Sequence, residues 1–236
     1  MSRLPGVVSG IVSSVDDPAS LGRIQVQFDW MDGAPTSYWA RVAAPMAGGK
    51  RGAFFMPEVS DEVLVSFDHG DISHAYVVGY CWSGADQPPF SAKQKQRGIM
   101  TVLGHQLLFD DDPAGNKITL STPNGYVLTL DELGQKISLA SKGGVSVEID
   151  DPAAGGPSIS MSLPTGDSLV LNATGLTATI ATGAVNVTAL SATITAPSVT
   201  IDAAMTSVTG VLNVGGAVIA NGVVSPTYTP GVGNLI

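Results

Sequence analysis

Residues 168–180 read Ser168-Leu-Val-Leu-Asn-Ala-Thr-Gly-Leu-Thr-Ala-Thr-Ile180, so apolar side chains alternate with small or polar ones. The alternation continues through Val185-Asn-Val187, Ile194-Thr-Ala196 and Val199-Thr-Ile201. A period of two residues is that of a β-strand. From residue 168 to residue 236 the chain has one charged residue, Asp202, and one aromatic residue, Tyr228. Because about a quarter of the residues in an ordinary soluble domain are charged, this tail is predicted to be β-structured and unlike a normal solvated surface.

The composition of the whole chain favours many short strands joined by turns. Among 236 residues, 28 are glycine and 15 are proline, and 44% are hydrophobic. No apolar run reaches the roughly 18 residues that a membrane-spanning helix needs. The first residues have no continuous apolar segment of signal-peptide length, so we expect assembly in a cytoplasm. Cys81 is the only cysteine, so no intrachain disulfide is expected.

Charge is distributed unevenly along the chain. The net charge is −9, with 8 basic and 10 acidic residues up to residue 100, and 3 basic and 10 acidic residues after it. No basic residue follows Lys142. A nucleic-acid-binding protein needs clustered Lys and Arg to neutralise phosphates, so nucleic acid is not an expected partner.

The first 90 residues are predicted to form a compact antiparallel barrel, with an OB-like barrel as the leading form. In the segment Arg23–Trp30 the side chains of Ile24, Val26, Phe28 and Trp30 are predicted to share one face. Turn signals such as Asp32-Gly33 and Gly48-Gly49 separate the strands. The predicted strands are Val7–Val12, Arg23–Trp30, Tyr38–Val42, Gly52–Met56, Glu62–Phe67 and Ala75–Tyr80.

The rest of the chain is predicted to be a linker or neck over residues 91–100 and a β-helical spike over residues 101–236, with its tip at about 221–236. After residue 100 short alternating strands and turns follow one another at intervals of roughly 7–10 residues, which is typical of a β-solenoid or prism. Examples are Ile118-Thr-Leu120, Val127–Leu130, Ile137-Ser-Leu139, Val145–Ile149 and Ile159–Leu163.

The small side chains of the spike favour an intertwined homotrimer. Each strand has one apolar face, but few residues are large enough to fill a wide interior. Three chains wound together would let small residues meet at a shared axis, each strand pairing with neighbouring chains. About 17 strands at ~4.8 Å each would make a rod on the order of 80 Å long. The rival architecture is a single-chain parallel β-helix, which usually has longer and more regular rungs.

Several blocks in the barrel segment resemble a known family. Gly22-Arg-Ile-Gln-Val-Gln-Phe-Asp-Trp30, Trp39-Ala-Arg-Val-Ala-Ala-Pro45 and Gly52-Ala-Phe-Phe-Met-Pro57 occur in that order, followed by Asp61–Phe67, Gly70-Asp71 and the exit Val78-Gly79, Gly84 and Pro88-Pro-Phe90. Together they resemble the signatures of phage baseplate assembly protein V and the Vgr-type spikes. Gly104–Asp111, Lys117–Leu120, Asn124-Gly125 and Leu130-Asp131 look like the start of the Vgr-type β-helix.

The resemblance implies the central spike of a contractile injection machine, such as a phage tail, a tailocin or a type VI-like device. Its homotrimeric OB collar would dock on a baseplate hub, and its needle would point at the target cell envelope. The expected location is the virion tail baseplate or a phage-like particle. Vgr proteins carry a fused hub domain before the OB domain, whereas this chain begins almost directly with the OB segment, so we expect a separate hub protein.

Two other departures from the family concern the needle. Some phage spikes carry a lysozyme between barrel and needle, but residues 83–100 leave no room for one. Some spikes bind iron through a His-x-His pair near the C-terminus, but His69, His74 and His105 all lie far upstream. A tip ion is therefore not expected, and a separate tip protein of the PAAR type becomes possible.

Two kinds of polar cluster are candidate sites. His69, Asp71 and His74 could form a metal or acid–base site, but a polar hairpin is the favoured interpretation because their spacing matches no recognised ligand set. Asp110–Asp112 and Asp150-Asp151 could bind calcium, but they lack the spacing of a calcium loop, and Asp16-Asp-Pro18 repeats the same form, which favours generic turns.

The remaining candidate residues point to packing. Cys81 is interpreted as a packed core residue, and Trp30, Trp39 and Trp82 as core or collar contacts of the barrel. No nucleophile elbow, phosphate loop or dinucleotide fingerprint occurs. No catalytic, cofactor-binding or metal-binding residue is therefore assigned, and we expect a structural protein without enzymatic activity. The alternative function is an OB-domain adhesin or fibre that binds a cell-surface receptor or glycan.

Overall fold

The computed structural model describes residues 6–90 and 95–222. Within these residues the chain is all-β apart from one short 3₁₀ turn, Asp68–Gly70, and no helix in them could cross a membrane. The chain divides into two compact units, one up to Val185 and one from Asn186. All the strands found in the described residues lie in the first unit.

The first seven strands are β1 Val7–Ser14, β2 Arg23–Gln27, β3 Ala40–Val42, β4 Ala47–Gly48, β5 Arg51–Gly52, β6 Glu62–Phe67 and β7 Ala75–Tyr80. Five of them close into a barrel in the order β1-β2-β3-β7-β6. Neighbouring strands are antiparallel except β3 and β7, which are parallel. This five-stranded arrangement is the OB barrel that the sequence predicts.

The barrel core is built from the alternation that the sequence shows. Ile24, Val26 and Phe28 are fully buried, and the ring of Phe28 meets that of Phe67 edge to face at 5.6 Å. The prediction that Trp30 shares this face is wrong. Strand β2 ends at Gln27, and the chain turns where the N–H of Met31 donates to the carbonyl of Phe28, which leaves Trp30 half exposed.

Other barrel residues also lie outside the core. Trp82 is 67% exposed, and Cys81 is half-buried, because both follow the end of β7, where the chain leaves the barrel. Trp39 is half-buried, with the guanidinium of Arg23 at 6.0 Å from its ring centroid. Trp82 is therefore not a core residue, and its predicted role as a collar contact stays a prediction, whereas Cys81 and Trp39 are only partly packed.

The predicted strand Gly52–Met56 is mostly absent from the described barrel. Only Arg51–Gly52 is a strand, and it pairs with Ala47–Gly48 in a separate two-stranded hairpin. Phe54 and Phe55 are consecutive and both exposed. In a strand, consecutive side chains point to opposite faces, so a strand with one buried face would bury one of these two rings. Because both are exposed, the segment is irregular.

A second sheet follows the barrel. Its strands are β8 Gln96–Met100, β9 Gln106–Asp110, β10 Lys117–Ser121, β11 Val127–Asp131, β12 Lys136–Ala140, β13 Ser146–Asp150, β14 Ser158–Ser162, β15 Ser168–Asn172 and β16 Gly175–Thr179. Each strand pairs antiparallel with its neighbour in sequence. The sheet starts at Gln96, inside the segment predicted as linker, residues 91–94 of which lie outside the described part.

These pairings correct one expectation. In residues 96–179 the strands pair within one chain, because turns of two to seven residues bring consecutive strands together. The predicted pairing of each strand with neighbouring chains is wrong for this segment. The antiparallel order also differs from that of a parallel solenoid, and the sheet is consistent with one part of a β-helix.

Four turns on the same edge of this sheet share one structure. They are Thr101–His105, Thr122–Tyr126, Ser141–Val145 and Leu163–Asp167. In each turn the first N–H donates to the fifth carbonyl, and the N–H of the fourth residue, a glycine, donates to the first carbonyl. The four glycines have φ between 83° and 92°, a left-handed conformation that suits glycine. The sheet is therefore a stack of similar hairpins.

Replacing the fourth residue of one turn should destabilise the sheet, whereas replacing its neighbour should not. Gly144 has φ 83°, and an added Cβ would lie 3.5 Å from the Cβ of Pro164. Gly144→Ala is expected to lower the free energy of unfolding by about 1–2 kcal/mol because of the left-handed backbone. Gly143→Ala is the control, since its Cβ would come no closer than 3.9 Å, to Ser141 Oγ. Urea unfolding of the two full-length variants would contradict this interpretation if they were equally stable.

The second unit has a different character. Its described residues, 186–222, contain no strand, and all of them are exposed. The predicted strands Val185–Ala189, Ile194–Ala196 and Val199–Ala203 are therefore not formed within a single chain. Most of the predicted tip, from residue 223 onward, lies outside the described residues.

Candidate interaction surfaces

The histidine cluster predicted as a possible metal or acid–base site forms an exposed turn. The carboxylate of Asp71 accepts the N–H of Ser73 at 2.9 Å and lies 3.2 Å from His74 Nδ1. The backbone N–H of Ser73, with a smaller contribution from His74, lowers the pKa of Asp71. His69 points into solvent with 94% of its side chain exposed. This geometry is that of a polar turn.

The carboxylates of the acidic loops bind the chain itself. Asp110 accepts the N–H of Asp112, and Asp112 accepts the N–H of Ala114. Asp111 forms an ion pair with Arg97, and Asp150 lies 3.7 Å from Lys136 Nζ. Over residues 6–90 and 95–222 no three His, Cys, Asp or Glu side chains converge as a metal site would require.

A single carboxylate organises the loop between β1 and β2. Asp17 is 4% exposed and receives two bonds from Arg23, from Nη2 at 2.6 Å and from Nε at 3.0 Å. It also accepts the backbone N–H groups of Ala19 and Leu21. The Arg23 guanidinium is the main cause that holds the pKa of Asp17 far below its usual range.

This depressed pKa predicts a pH-dependent difference between wild type and Asp17→Asn. A carboxylate whose pKa is lower in the folded state stabilises the fold above its unfolded pKa of about 3.9, and that contribution is lost as the pH falls below it. The variant is therefore expected to be less stable than wild type at pH 7, with the gap narrowing below about pH 4. Thermal melts of wild type and Asp17→Asn at pH 7 and below pH 4 measure this difference in stability. A difference that stays constant with pH would contradict the role given to Asp17.

The second sheet exposes an apolar face. The second and fourth residues of its strands form two columns of directly opposed side chains. In the column that runs from Phe109 to Leu176 the side chains are between 37% and 66% exposed. We call the surface formed by both columns the apolar face. Its members are Ile99, Leu107, Leu120, Leu128, Leu139, Val147, Met161 and Leu169 in one column, and Phe109, Ile118, Leu130, Ile137, Ile149, Ile159, Leu171 and Leu176 in the other. The first column ends at Ala178, and the second begins at Arg97, which forms an ion pair with Asp111.

The opposite face of the same sheet is mostly polar. One of its columns alternates in sign through Asp110, Lys117, Asp131, Lys136 and Asp150, each directly opposite the next. The Lys136 ammonium also donates to Glu148 at 3.1 Å, and this carboxylate is the main cause that raises the pKa of Lys136. Opposite charges across strands favour this register. The charged face suits contact with water, and the apolar face does not.

The barrel has an open cleft, which we call the barrel cleft. It has a volume of about 550 Å³ and lies between the β4–β5 hairpin, the segment Ala53–Met56 and the end of β7. Its lining includes Leu21, Met46, Phe54, Phe55 and Tyr80, and of these Phe54 is 76% exposed. The Tyr80 hydroxyl donates to the carbonyl of Phe55 at 3.0 Å, and burial is the main cause that raises its pKa. Lys50 and Arg51 also line the cleft, and no carboxylate does.

The sequence contains two signals for these surfaces that alternation alone does not reveal. The adjacent Phe54 and Phe55 indicate exposed aromatic surface, since alternation could bury only one of them. In the tail, apolar residues recur at every seventh position, and four of them are between 55% and 78% exposed. The recurring residues are Ile180, Val187, Ile194, Ile201 and Val208.

Comparison with known proteins finds a family match for the barrel. Residues 8–82 match the model of the type VI secretion system and phage-baseplate injector OB domain. These residues coincide with the closed barrel. The resemblance to baseplate V and Vgr-type spikes is therefore confirmed for this part of the chain.

Individual relatives agree with the family match. The chain is 29% identical over 112 residues to the type VI secretion system spike protein VgrG3 of Vibrio cholerae, which covers 43% of this chain and 11% of that protein. It is 32% identical over 115 residues to the spike protein VgrG2a of Pseudomonas aeruginosa, covering 44% of the chain and 14% of that protein. A 25% identical relative from Vibrio cholerae is named actin cross-linking toxin VgrG1. The chain thus spans about a tenth of the length of these relatives.

Proposed function

We propose that this chain, whose residues 8–82 belong to the injector OB-domain family, is the central spike of a contractile phage tail or phage-derived injection particle. The barrel would dock on a separate baseplate hub protein. The second sheet and the tail would form a needle that meets and pierces the target cell envelope. The names of the relatives support a spike role through the OB domain, and the docking and piercing steps are part of the proposal.

The observation that carries this proposal is the open apolar face. Each large aliphatic side chain moved from half-exposed to buried contributes on the order of 1 kcal/mol, and two columns of such residues run along nine strands. Three copies around a three-fold axis would bury all three faces against one another in a closed assembly. The column of alternating charges would then face water. Two copies packed face to face would leave open sides.

The tail would extend the same assembly by a different kind of pairing. Residues 186–222 form no strand within a single chain, although their alternation and seven-residue repeat are regular. In a trimer their backbone partners would come from the other two copies, as in an intertwined β-helix. A segment with one charged residue also lowers the cost of entering a bilayer, where each charge costs several kcal/mol. A PAAR-type tip protein could cover its end.

This function is mechanical, and no enzymatic step is part of it. The direct test is the mass of the purified full-length chain by light scattering, in the presence and absence of SDS at room temperature. The proposal predicts three times the 24.1 kDa of one chain in both conditions. A monomer would contradict it. Binding on a glycan array would favour the adhesin alternative, and release of peptidoglycan fragments would favour an enzyme.

A further inference from the structure

One turn of the second sheet differs from the three related turns. At its tip, Val102 and Leu103 are each 76% exposed. The equivalent tips are Pro123-Asn124, Lys142-Gly143 and Pro164-Thr165, which contain no aliphatic pair. The backbone bonds of the four turns are the same, so the turn does not need Val102 and Leu103 for its conformation. Two large apolar side chains exposed at one tip indicate a contact with another surface.

The barrel cleft lies at the end of the barrel from which the chain leaves. Tyr80 is the last residue of β7, and Val42 is the last residue of β3, which runs parallel to β7; both line the cleft. The chain then runs through residues 81–95 to β8, the strand that precedes the Thr101–His105 turn. The cleft and this turn are therefore both close in sequence to the same connection.

We infer that the barrel cleft of one copy receives the Val102–Leu103 tip of a second copy. This inference rests on the proposed trimer. In a ring of identical copies, each interface joins one patch of a chain to a different patch of its neighbour. The cleft and the tip are two such patches, and both are open in a single chain. The tip follows β8, in which Ile99 lies directly opposite Leu107 at one end of the apolar face, so the contact would continue the interface formed by this face.

The chemistry of the two surfaces agrees. The cleft volume of about 550 Å³ is large enough for two aliphatic side chains and their backbone. Residues 101–105 contain no Lys, Arg, Asp or Glu, so the tip brings no cation against Lys50 and Arg51. The long stems of these two residues can cover apolar surface while their charged ends stay in water.

Cross-linking between two differently tagged chains tests this contact. One chain carries Ala47→Cys in the cleft and the other carries Val102→Cys at the tip, both with Cys81→Ser to remove the native thiol. Ala47 is exposed and lines the cleft, so the aromatic residues are kept. The chains are co-expressed, their mass is measured, and a short bis-maleimide is added. The matched control places the second cysteine at Lys142, which occupies the same position as Val102 in the third turn.

The inference predicts a covalent dimer with both tags as the main product for Val102→Cys, and loss of this product for Lys142→Cys. A single chain with Ala47→Cys and Val102→Cys should give a covalent trimer. An intact non-covalent trimer without the cross-link would overturn the inference and leave the proposed function standing. A cross-link within one chain would also overturn it. A monomeric mass before cross-linking would instead refute the trimer, and the inference with it.

Discussion

Leu130→Asp is expected to convert the trimer into separate chains. Leu130 lies in the middle of the apolar face, directly opposite Ile118 on one side and Ile137 on the other. In the proposed assembly the substitution would bury one unpaired carboxylate per copy, at a cost on the order of 3–5 kcal/mol each. In a single chain the same side chain is 40% exposed and would reach water. The barrel should stay folded, so light scattering should report one chain.

The adjacent residue provides the control for this experiment. Thr129 lies on the opposite face between Thr119 and Ser138, so Thr129→Asp should keep the mass of the trimer. The comparison introduces the same charge one residue away on the same strand. If both variants stayed trimeric, or if both dissociated, the assignment of the apolar face to the interface would be wrong.

Phe28→Ala is expected to lower the free energy of unfolding of the barrel by about 3–5 kcal/mol, the usual cost of removing a buried ring. Phe28 is fully buried and meets both Phe67 and Trp30 edge to face, at 5.6 Å and 6.1 Å between ring centroids. The remaining core is built mainly of valine side chains on short strands, which cannot collapse far into the space. Urea unfolding followed by tryptophan fluorescence would measure the loss.

Phe54→Ala makes the same chemical change at a side chain that is 76% exposed. It should lower the free energy of unfolding by less than Phe28→Ala does, since it removes contacts only at the barrel cleft and none in the core. Equal losses for Phe28→Ala and Phe54→Ala would show that the barrel core is not centred on Phe28. A larger loss for Phe54→Ala than for Phe28→Ala would show that packing at the barrel cleft, and not the core around Phe28, holds the barrel together.

The barrel could be predicted from the sequence where alternation and turn signals coincide. Glu62–Phe67 and Ala75–Tyr80 are strands with the predicted bounds, and Ile24, Val26 and Phe28 form the predicted core. The family blocks lie on these strands and on the turns between them. Local pattern is sufficient there because each strand has one buried and one exposed face.

The predictions are wrong where the alternation does not show where a strand ends or which strand it pairs with. Alternation continues to Trp30, but a tight turn ends the strand at Gln27, and period alone cannot reveal that turn. The alternation of the second sheet predicts its strands, but it does not distinguish pairing within a chain from pairing between chains, because both give the same apolar face. The left-handed glycines at the fourth turn positions, such as Gly125 and Gly144, are the residues that select hairpins within one chain.

The surfaces proposed for assembly share one physical feature. A folded chain normally buries its largest apolar residues, yet this chain leaves the apolar face, the barrel cleft and the Val102–Leu103 tip open. Contiguous exposed apolar surface marks interaction sites. We therefore expect three copies together to bury the apolar surfaces that a single copy exposes.

The most direct test of this claim is a cryo-electron microscopy map of the full-length chain at a resolution that shows side chains. We expect a three-fold assembly in which Leu130 and Ile137 of each copy point toward the symmetry axis, and Lys117 and Lys136 point to solvent. A map with a single chain, or with the charged face turned toward the axis, would contradict it.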